Sequence, residues 1–127
     1  MSFDWSEYLS LAEELNGSRV SGPPVGSEAQ QRSSVSRAYY AAFILARNRL
    51  RDVDHVPIPY SGSAHVFVAR RYARDSDPRR VQIGLRLGRL RTDRNMCDYD
   101  DVVVNAPNLA IQSLARARRI IADLAQL

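Results

Sequence analysis

The sequence predicts an all-α protein, an antiparallel bundle of four to five helices. Three observations lead to this prediction. Apolar residues recur at helical spacing in successive stretches of the chain, and several of these stretches open with a helix-capping signal. The one run typical of a strand, Val102-Val103-Val104, is only three residues long and has no partner. With 127 residues the chain suits a single domain, residues 1–127, built around one hydrophobic core.

The first helix is predicted to begin at Asp4, because Asp4-Trp5-Ser6-Glu7 has the spacing of a capping box. Its apolar side follows at helical spacing through Trp5, Tyr8, Ala12 and Leu15. Asn16-Gly17 is a typical end for such a helix. Residues 17–26 are rich in glycine and proline, so they are predicted to form a loop.

The second helix is predicted to begin at Ser27, where Ser27-Glu28-Ala29-Gln30 is another capping box, and to run to about Asp52. Its middle, residues 38–46, is apolar on every side. A helix that is apolar all round is buried all round, so this helix is predicted to be central. The hydroxyls of Tyr39 and Tyr40 then need hydrogen-bond partners.

The third helix is predicted near residues 63–74, after a proline-interrupted connection over residues 53–62. Asp77-Pro78 predicts the start of a fourth helix. One stripe of the fourth helix, at steps of four, three, four and three, holds Ile83, Leu87, Leu90, Arg94 and Cys97. An arginine that continues an apolar stripe needs a partner. Asp98, one helical turn after Arg94, is the predicted one.

Val102-Val103-Val104 is predicted to be a packed linker between the fourth helix and the last. The last helix is predicted to open at Asn105-Ala106-Pro107 and to run to the end of the chain. Its apolar seam is predicted to hold Ala110, Leu114, Ala117, Ile121 and Leu124. The side predicted to face water holds Gln112, Arg116, Arg119 and Asp123.

The charge of the chain permits an anionic partner without requiring one. The formal net charge is +4, and all 18 basic residues are arginine. A coding bias of the genome is one explanation for the absence of lysine. The preference of guanidinium groups for phosphate is the other. Composition leaves both explanations open.

Several classes of protein are excluded or disfavoured. No apolar run approaches the roughly 20 residues needed to span a bilayer, and the acidic start lacks a signal peptide, so a cytoplasmic location is expected. Cys97 is the single cysteine, and neither His55 nor His65 has a companion at metal spacing, so no metal site is expected. The absence of a glycine-rich phosphate loop or a serine elbow gives no reason to expect a cofactor.

Two segments and one histidine carry a resemblance to a known family. The run Ser36-Arg37-Ala38-Tyr39-Tyr40-Ala41-Ala42-Phe43 resembles the second-helix signature of small prokaryotic HEPN proteins. Arg94-Asn95-Met96-Cys97-Asp98-Tyr99-Asp100 resembles the arginine-centred motif that ends a late helix in the same family. His65 is similar to a histidine early in the family's middle helix. Together with helix order and length, the resemblance covers nearly the whole chain.

The resemblance implies an up-and-down helical bundle that forms a two-fold homodimer. Many HEPN proteins are metal-independent ribonucleases that act as toxins, antiphage factors or CRISPR-associated nucleases. Others bind RNA or a nucleotide without cutting, often beside a small nucleotidyltransferase, as in toxin–antitoxin pairs. In the cleaving members an arginine, a polar residue and a histidine shortly after them meet across the dimer, where the histidine moves protons and the arginine stabilises phosphate charge.

The match to that motif is incomplete. Arg94 and Asn95 fit its start, but Tyr99 stands where the histidine is needed, and a phenol with a pKa of about 10 is a poor proton shuttle at neutral pH. Asp101 stands where some members have a tyrosine. The candidate catalytic residues implied by the resemblance are Arg94, Asn95 and Tyr99. The candidate RNA- or nucleotide-binding residues are Arg37, Tyr40, His65, Arg94 and Asp98.

Three functions stay open. The first is an RNA- or nucleotide-associated protein, non-catalytic alone, that acts as a dimer or with a nucleotidyltransferase-type partner. The second is a metal-independent ribonuclease toxin using Arg94 with Tyr99 or His65. The third is a structural dimerisation module, in which Arg94 and Tyr99 knit an interface, Arg37 and Tyr40 make core hydrogen bonds, and His65 is an ordinary first-turn residue.

Overall fold

The computed structural model describes residues 2–17 and 26–127, which form five helices and, within those ranges, no strand. The helices are α1 (Glu7–Leu15), α2 (Glu28–Asp52), α3 (Ala64–Ala73), α4 (Pro78–Tyr99) and α5 (Ala106–Ala125). The prediction of an all-α bundle is confirmed. The loop predicted over residues 17–26 lies, apart from its two end residues, outside the described residues.

Three helices start where the capping signals predicted. At α2 the Ser27 hydroxyl accepts from the Gln30 backbone N–H at 3.2 Å, and the Gln30 side chain accepts from the Ser27 backbone N–H at 2.8 Å. The Asp77 carboxylate accepts a backbone N–H in the first turn of α4 at 2.9 Å. Asn105 caps α5 from a left-handed backbone conformation, with a φ of 52°, which asparagine tolerates better than most residues.

The predicted start of the first helix is wrong. The Asp4 carboxylate accepts hydrogen bonds from the backbone N–H of Ser6 at 3.0 Å and from its hydroxyl at 2.6 Å. This local turn competes with capping, because an aspartate that bonds two residues ahead cannot also serve the first helical turn. The helix therefore begins only at Glu7.

Helix α2 lies at the centre of the bundle and contacts all four other helices. Ala38, Ala42 and Ala46 are fully buried on it, so neighbouring helices can approach its backbone closely. The prediction that residues 38–46 are buried all round holds for most of the segment. It fails at Tyr40 and Leu45, which are only partly buried.

Helices α3 and α4 pack tightly against each other at Gly84. A Cβ built on Gly84 would lie 2.6 Å from the carbonyl oxygen of Ala69 and 2.8 Å from the Cα of Ala73. Only glycine fits this crossing without a shift of backbone. The apolar stripe predicted on α4 is confirmed by the burial of Ile83, Leu87, Leu90 and Cys97.

The seam of α5 is shifted by one residue from its predicted position near the end. Ile120 is fully buried, whereas Ile121 is only partly buried. Arg116 and Asp123, predicted to face water, are partly buried. Arg116 donates to the buried Asp93 at 2.9 Å, and Asp123 accepts from an arginine of α4 at 3.0 Å. The prediction failed because α4 supplies charged partners that the α5 sequence does not reveal.

The run Val102-Val103-Val104 forms no strand, as predicted, but the predicted packing is wrong for two of its residues, since only Val103 is partly buried. Val102 is 79% exposed and Val104 is 87% exposed. The segment just before it is held through its backbone, because the Arg32 guanidinium of α2 donates to the carbonyl oxygens of Asp100 and Asp101. The side chains of Val102 and Val104 lie at the surface.

Candidate functional site

The partly buried Tyr40 marks a face of the protein where α2, the start of α3 and the second half of α4 meet. All the residues predicted to bind RNA or a nucleotide have atoms in contact there or next to it. We call this surface the arginine–histidine face and define it by Arg37, Tyr40, Arg47, His65, Arg91 and Arg94.

Arg94 is held on this face by three neighbours. Its Nε lies 2.8 Å from a carboxylate oxygen of Asp98, which confirms the predicted ion pair. Its other nitrogens donate to the Asn95 side-chain oxygen at 2.9 Å and to the Tyr40 hydroxyl at 2.8 Å. Three polar partners fix the guanidinium rigidly, and the Asp98 carboxylate offsets its charge.

Arg37 is held in a different way from Arg94. Its guanidinium carbon lies 5.1 Å from the ring centre of Tyr8 and 5.2 Å from that of Tyr40, so two aromatic rings support it. Stacking of this kind engages the flat face of the guanidinium and leaves its N–H edge able to donate to an anion.

His65 is joined to the core through Tyr39. The Tyr39 hydroxyl lies 2.6 Å from Nδ1 of His65, and the imidazole stacks on Phe43 with 4.3 Å between ring centres. Burial raises the pKa of Tyr39 well above its usual range, so the phenol keeps its hydrogen. Tyr39 is buried, and among the described residues its hydroxyl has Nδ1 of His65 as its one hydrogen-bond partner, so it donates to Nδ1. The neutral imidazole then carries its own hydrogen on Nε2, which makes His65 a hydrogen-bond donor at neutral pH.

The surroundings of His65 favour its neutral form. Its pKa is lowered by partial burial and by the positive charges of Arg91, Arg94 and Arg47, in that order. A neutral histidine that donates from Nε2 is suited to contact a phosphate or a base edge.

The positive charge of this face is largely uncompensated. In the described part of the chain, Arg37, Arg47 and Arg91 form no ion pair with a carboxylate. The Nε of Arg91 is buried and, within residues 2–17 and 26–127, has no hydrogen-bond partner. Like charges held together without acidic partners attract an anion.

A cleft of about 590 Å³ opens beside His65. We call it the His65 cleft; its walls include Phe43, Arg47, Arg51, Pro59, Tyr60 and His65. Tyr60 is fully exposed, so its ring is available to a ligand. Aromatic faces beside arginines are the combination that unpaired nucleotides use, since bases stack on the rings and phosphates bind the guanidinium groups.

The candidate catalytic residues do not form an acid–base pair. Tyr99 is 75% exposed, and its ring centre lies 5.7 Å from the Arg94 guanidinium carbon. Asn95 uses its side-chain oxygen to accept from Arg94. Both residues therefore contact Arg94. The contacts of His65 are with Tyr39, Tyr40 and Phe43.

The sequence prediction missed Arg47 and Arg91 as members of the site. Arg91 lies one helical turn before Arg94, and Arg47 lies two turns after Tyr40. Both spacings place residues on one side of a helix, so the signal was present. The signal was missed because the chain has 18 arginines, so residue type alone does not distinguish these two from the others.

Arg32 anchors the end of α4, which carries Arg94 and Asp98. Its guanidinium donates to the carbonyl oxygen of Cys97 at 3.4 Å, as well as to those of Asp100 and Asp101, and its Nε lies 3.4 Å from Glu28. A positive group at the C-terminal end of a helix satisfies carbonyls that have no partner in the helix.

Cys97 packs against Val35 and Ala110 beneath this helix end. Burial raises the pKa of the Cys97 thiol to about 11, so it stays protonated at neutral pH. A buried, protonated thiol is not a nucleophile.

No cluster of three or more histidine, cysteine, aspartate or glutamate residues suited to a metal ion occurs among the described residues. In the same part of the chain, no helix combines the length and the apolar character needed to cross a membrane. Comparisons with protein-family profiles, with curated proteins and with solved structures find no match.

Proposed function

We propose that this chain is a HEPN-like protein that binds RNA or a nucleotide through the arginine–histidine face. On this proposal it acts as a homodimer or with a nucleotidyltransferase-type partner and does not cut RNA alone. The observation that carries the proposal is the position of Arg47 and Arg91, unpaired with any carboxylate of the described residues, beside a neutral histidine, with Arg37 on the adjoining Tyr40 ring.

The chemistry of this face favours a phosphate-bearing ligand over a carboxylate-bearing or neutral one. Several guanidinium groups converge on one region, and a phosphate can accept from more than one of them. His65 adds a neutral N–H donor, and the His65 cleft adds aromatic walls at Phe43 and Tyr60. A nucleotide offers both a phosphate and a flat base for these groups.

Binding of a fluorescent single-stranded RNA, measured by anisotropy, tests the proposal. Arg91→Gln removes an unpaired charge from the face, and we expect it to weaken binding about tenfold, a loss of about 1.4 kcal/mol. Arg119→Gln is the matched control, because Arg119 is exposed and paired with Asp123 at 3.2 Å. We expect the control to bind RNA nearly as the unaltered protein does.

Equal binding by the Arg91→Gln variant and the unaltered protein, with both well folded, would exclude this face as the RNA site. Absence of binding to RNA and to free nucleotides by the unaltered protein would reject the proposal and favour a structural module.

A metal-independent ribonuclease is the second candidate, and one observation favours it. His65 and Arg94 both contact the ring of Tyr40, the first at 6.2 Å between ring centres and the second at 5.2 Å from its guanidinium carbon. A histidine near an arginine is the pair that such chemistry uses. The donor role of Nε2 in His65 speaks against its acting as a base, and the exposure of Tyr99 speaks against Tyr99.

Incubation of the purified protein with total RNA, with and without EDTA, separates the two candidates. Cleavage that persists in EDTA and is lost in both Arg94→Ala and His65→Gln variants would establish the ribonuclease. RNA that stays intact at high protein concentration would leave binding as the function.

On this proposal, the homodimer forms through a surface that begins next to Arg94, at Tyr99. Tyr99, Val102 and Val104 are large apolar side chains that are mostly exposed and close together in the chain. Exposed apolar groups of this kind often mark contact surfaces. Sedimentation of the protein should report a dimer, and Val102→Asp combined with Val104→Asp should shift it to a monomer. If the unaltered protein is a monomer at all concentrations, the homodimer is rejected and the partner must be a different protein.

A further inference from the structure

A second cleft, of about 640 Å³, lies along α3, from its start to the residues just after its end. We call it the α3 cleft; its walls include Pro59, Ser63, Phe67, Arg70, Arg71 and Arg74. Its size is within the range of clefts that bind small ligands or single nucleotides. The arginine–histidine face does not account for it, since none of the residues defining that face lines it.

The three arginines of the α3 cleft have no carboxylate partner among the described residues. One acidic residue, Asp75, lines the cleft itself. Asp54 lies 2.7 Å from a guanidinium nitrogen of Arg80, and Asp75 accepts from the Asp77 backbone N–H at 2.8 Å. Three arginines against the one carboxylate of Asp75 leave the cleft with a net positive charge, which attracts an anion.

Stability of α3 accounts for only part of this arrangement. Arg70 and Arg71 lie in the last turn of α3, where positive charge interacts well with the helix dipole. Arg70 and Arg74 are four residues apart, however, and like charges at that spacing repel one another. Interaction with the helix dipole therefore does not explain why all three arginine side chains line the same cleft.

The other wall of the cleft is apolar. Val66 and Phe67 are partly buried there, and Pro59 closes the side. A flat apolar surface beside guanidinium groups suits one nucleotide unit, because the base packs on the surface and the phosphate binds the arginines.

The α3 cleft and the His65 cleft are neighbours. Pro59 lines both of them, and the start of α3 contributes the N-cap residue Ser63 to one and His65 to the other. A ligand that filled both would have to be longer than one nucleotide and able to pass around this proline. Single-stranded RNA has that length and flexibility.

We infer that the α3 cleft is a second phosphate-binding site, which holds a further nucleotide of the same RNA strand that binds at the arginine–histidine face. The inference rests on the proposed function and adds to it that the ligand is a strand of several nucleotides and not a free nucleotide. Arg70, Arg71 and Arg74 contact the phosphates, and Phe67 supports a base.

The test compares a labelled dinucleotide with a single-stranded RNA of about ten nucleotides. Arg70→Gln, Arg71→Gln and Arg74→Gln are combined in one variant. We expect this variant to bind the longer RNA at least tenfold more weakly and the dinucleotide unchanged. The slope of log affinity against log salt for the longer RNA should fall by about 2, as for three lost phosphate contacts.

The matched control combines Arg79→Gln, Arg118→Gln and Arg119→Gln, which removes the same charge from arginines that are paired with carboxylates. Equal losses in the two triple variants would overturn the inference, since general charge would then explain both. So would a dinucleotide or free nucleotide that loses as much affinity as the longer RNA. Thermal unfolding followed by circular dichroism confirms that each variant is folded.

Failure of the proposed function gives a different result. It would appear as dinucleotide binding that Arg91→Gln leaves unchanged. Absence of binding of either RNA to the unaltered protein would overturn the inference and the proposed function together.

Discussion

Asp93 is fully buried on α4, and its carboxylate depends on donors from other residues. Ser113 donates to it at 3.2 Å and Arg116 at 2.9 Å, both from α5, and Arg89 lies 3.5 Å away. A carboxylate taken out of water is tolerated only when such partners replace its hydration. The Asp93 carboxylate therefore connects α4 to α5 through its ion pair with Arg116 and its hydrogen bond from Ser113.

Replacing Asp93 should destabilise the protein strongly. Asp93→Ala leaves Arg116 without its acceptor, and we expect the free energy of unfolding to fall by about 2–3 kcal/mol, below the value for a fully buried pair because Arg116 keeps some exposure to water. Urea unfolding measures the change. Asp52→Ala is the control, since its pair with Arg51 is exposed to water and should contribute little to the free energy of unfolding. Similar losses in both variants would contradict this account.

The pH dependence of stability should carry the signature of His65. Its pKa in the folded protein lies below the ordinary 6.5, so the unfolded chain takes up the proton more readily. The contribution of His65 to the free energy of unfolding is therefore complete above pH 6.5 and is lost as the pH falls through the folded-state pKa. An NMR titration of the imidazole gives that pKa directly. Arg91→Gln should raise it toward 6.5, and a value at or above 6.5 in the unaltered protein would contradict the geometry.

The Arg94–Asp98 and Asp93–Arg116 ion pairs differ in how far the sequence predicts them. Arg94 and Asp98 are four residues apart on one helix, so their pairing follows from helical geometry alone. Asp93 and Arg116 are 23 residues apart and on different helices. Their pairing depends on how α4 and α5 are aligned, which no local pattern encodes.

At the scale of the helices, the two glycines of α4 have opposite roles. Gly84 faces the backbone of α3, whereas a Cβ on Gly88 would meet nothing within 4 Å. Their surroundings in the sequence, Ile83-Gly84-Leu85 and Leu87-Gly88-Arg89, are much alike. Only the crossing of α3 over α4 distinguishes them.

Substituting these glycines gives a matched pair of variants. Gly84→Ala forces α3 and α4 apart, and we expect it to lower the free energy of unfolding by about 3 kcal/mol. Gly88→Ala removes an exposed glycine from a helix interior and should raise it by about 0.5–1 kcal/mol. Thermal or urea unfolding should show shifts of opposite sign. Shifts of the same sign would mean that the close contact between Gly84 and α3 does not determine how well these helices pack.

The helix starts at Ser27, Asp77 and Asn105 could be predicted because each depends on residues within one turn of the cap. The first helix could not, since Asp4 has two local hydrogen-bonding choices and the sequence does not say which is made. The exposure of Val102 and Val104 could not be predicted either. Arg32 holds the preceding segment through its backbone carbonyl oxygens, which every residue type has.

At the scale of the molecule, arginines divide into two groups. Those near the α4–α5 contact are paired, as Arg86, Arg116 and Arg119 are with aspartates. Those on the arginine–histidine face and along α3 are mostly unpaired in the described part of the chain. Net charge alone, which is only +4, does not reveal this division.

Inorganic phosphate should stabilise the protein more than chloride does at equal ionic strength. At about ten times its dissociation constant, an anion bound to the folded state alone adds about 1.4 kcal/mol, or roughly 5 °C in melting temperature. Arg37→Gln, Arg47→Gln and Arg91→Gln combined should remove the part of this difference that comes from the arginine–histidine face and leave the part that comes from the α3 cleft. The control with Arg79, Arg118 and Arg119 replaced should keep it; a phosphate effect that is equal in both variants would be a general salt effect.

The candidate site was predictable only in part. The resemblance pointed to Arg94, Tyr40, His65 and Arg37, and these residues do lie on one face. The role of Tyr39 in orienting His65 was not predictable, because it requires α3 to place the imidazole over α2. The same holds for both clefts, whose shared wall at Pro59 depends on the path of the connection before α3.

The separation of paired from unpaired arginines also gives the molecule a permanent electric asymmetry. A polyanion approaching from a distance experiences a torque that turns the unpaired side toward it before any contact forms. The rate constant for association should then fall steeply with added salt, while the rate constant for dissociation changes less. Even a chain of modest net charge can in this way select which of its surfaces is encountered first.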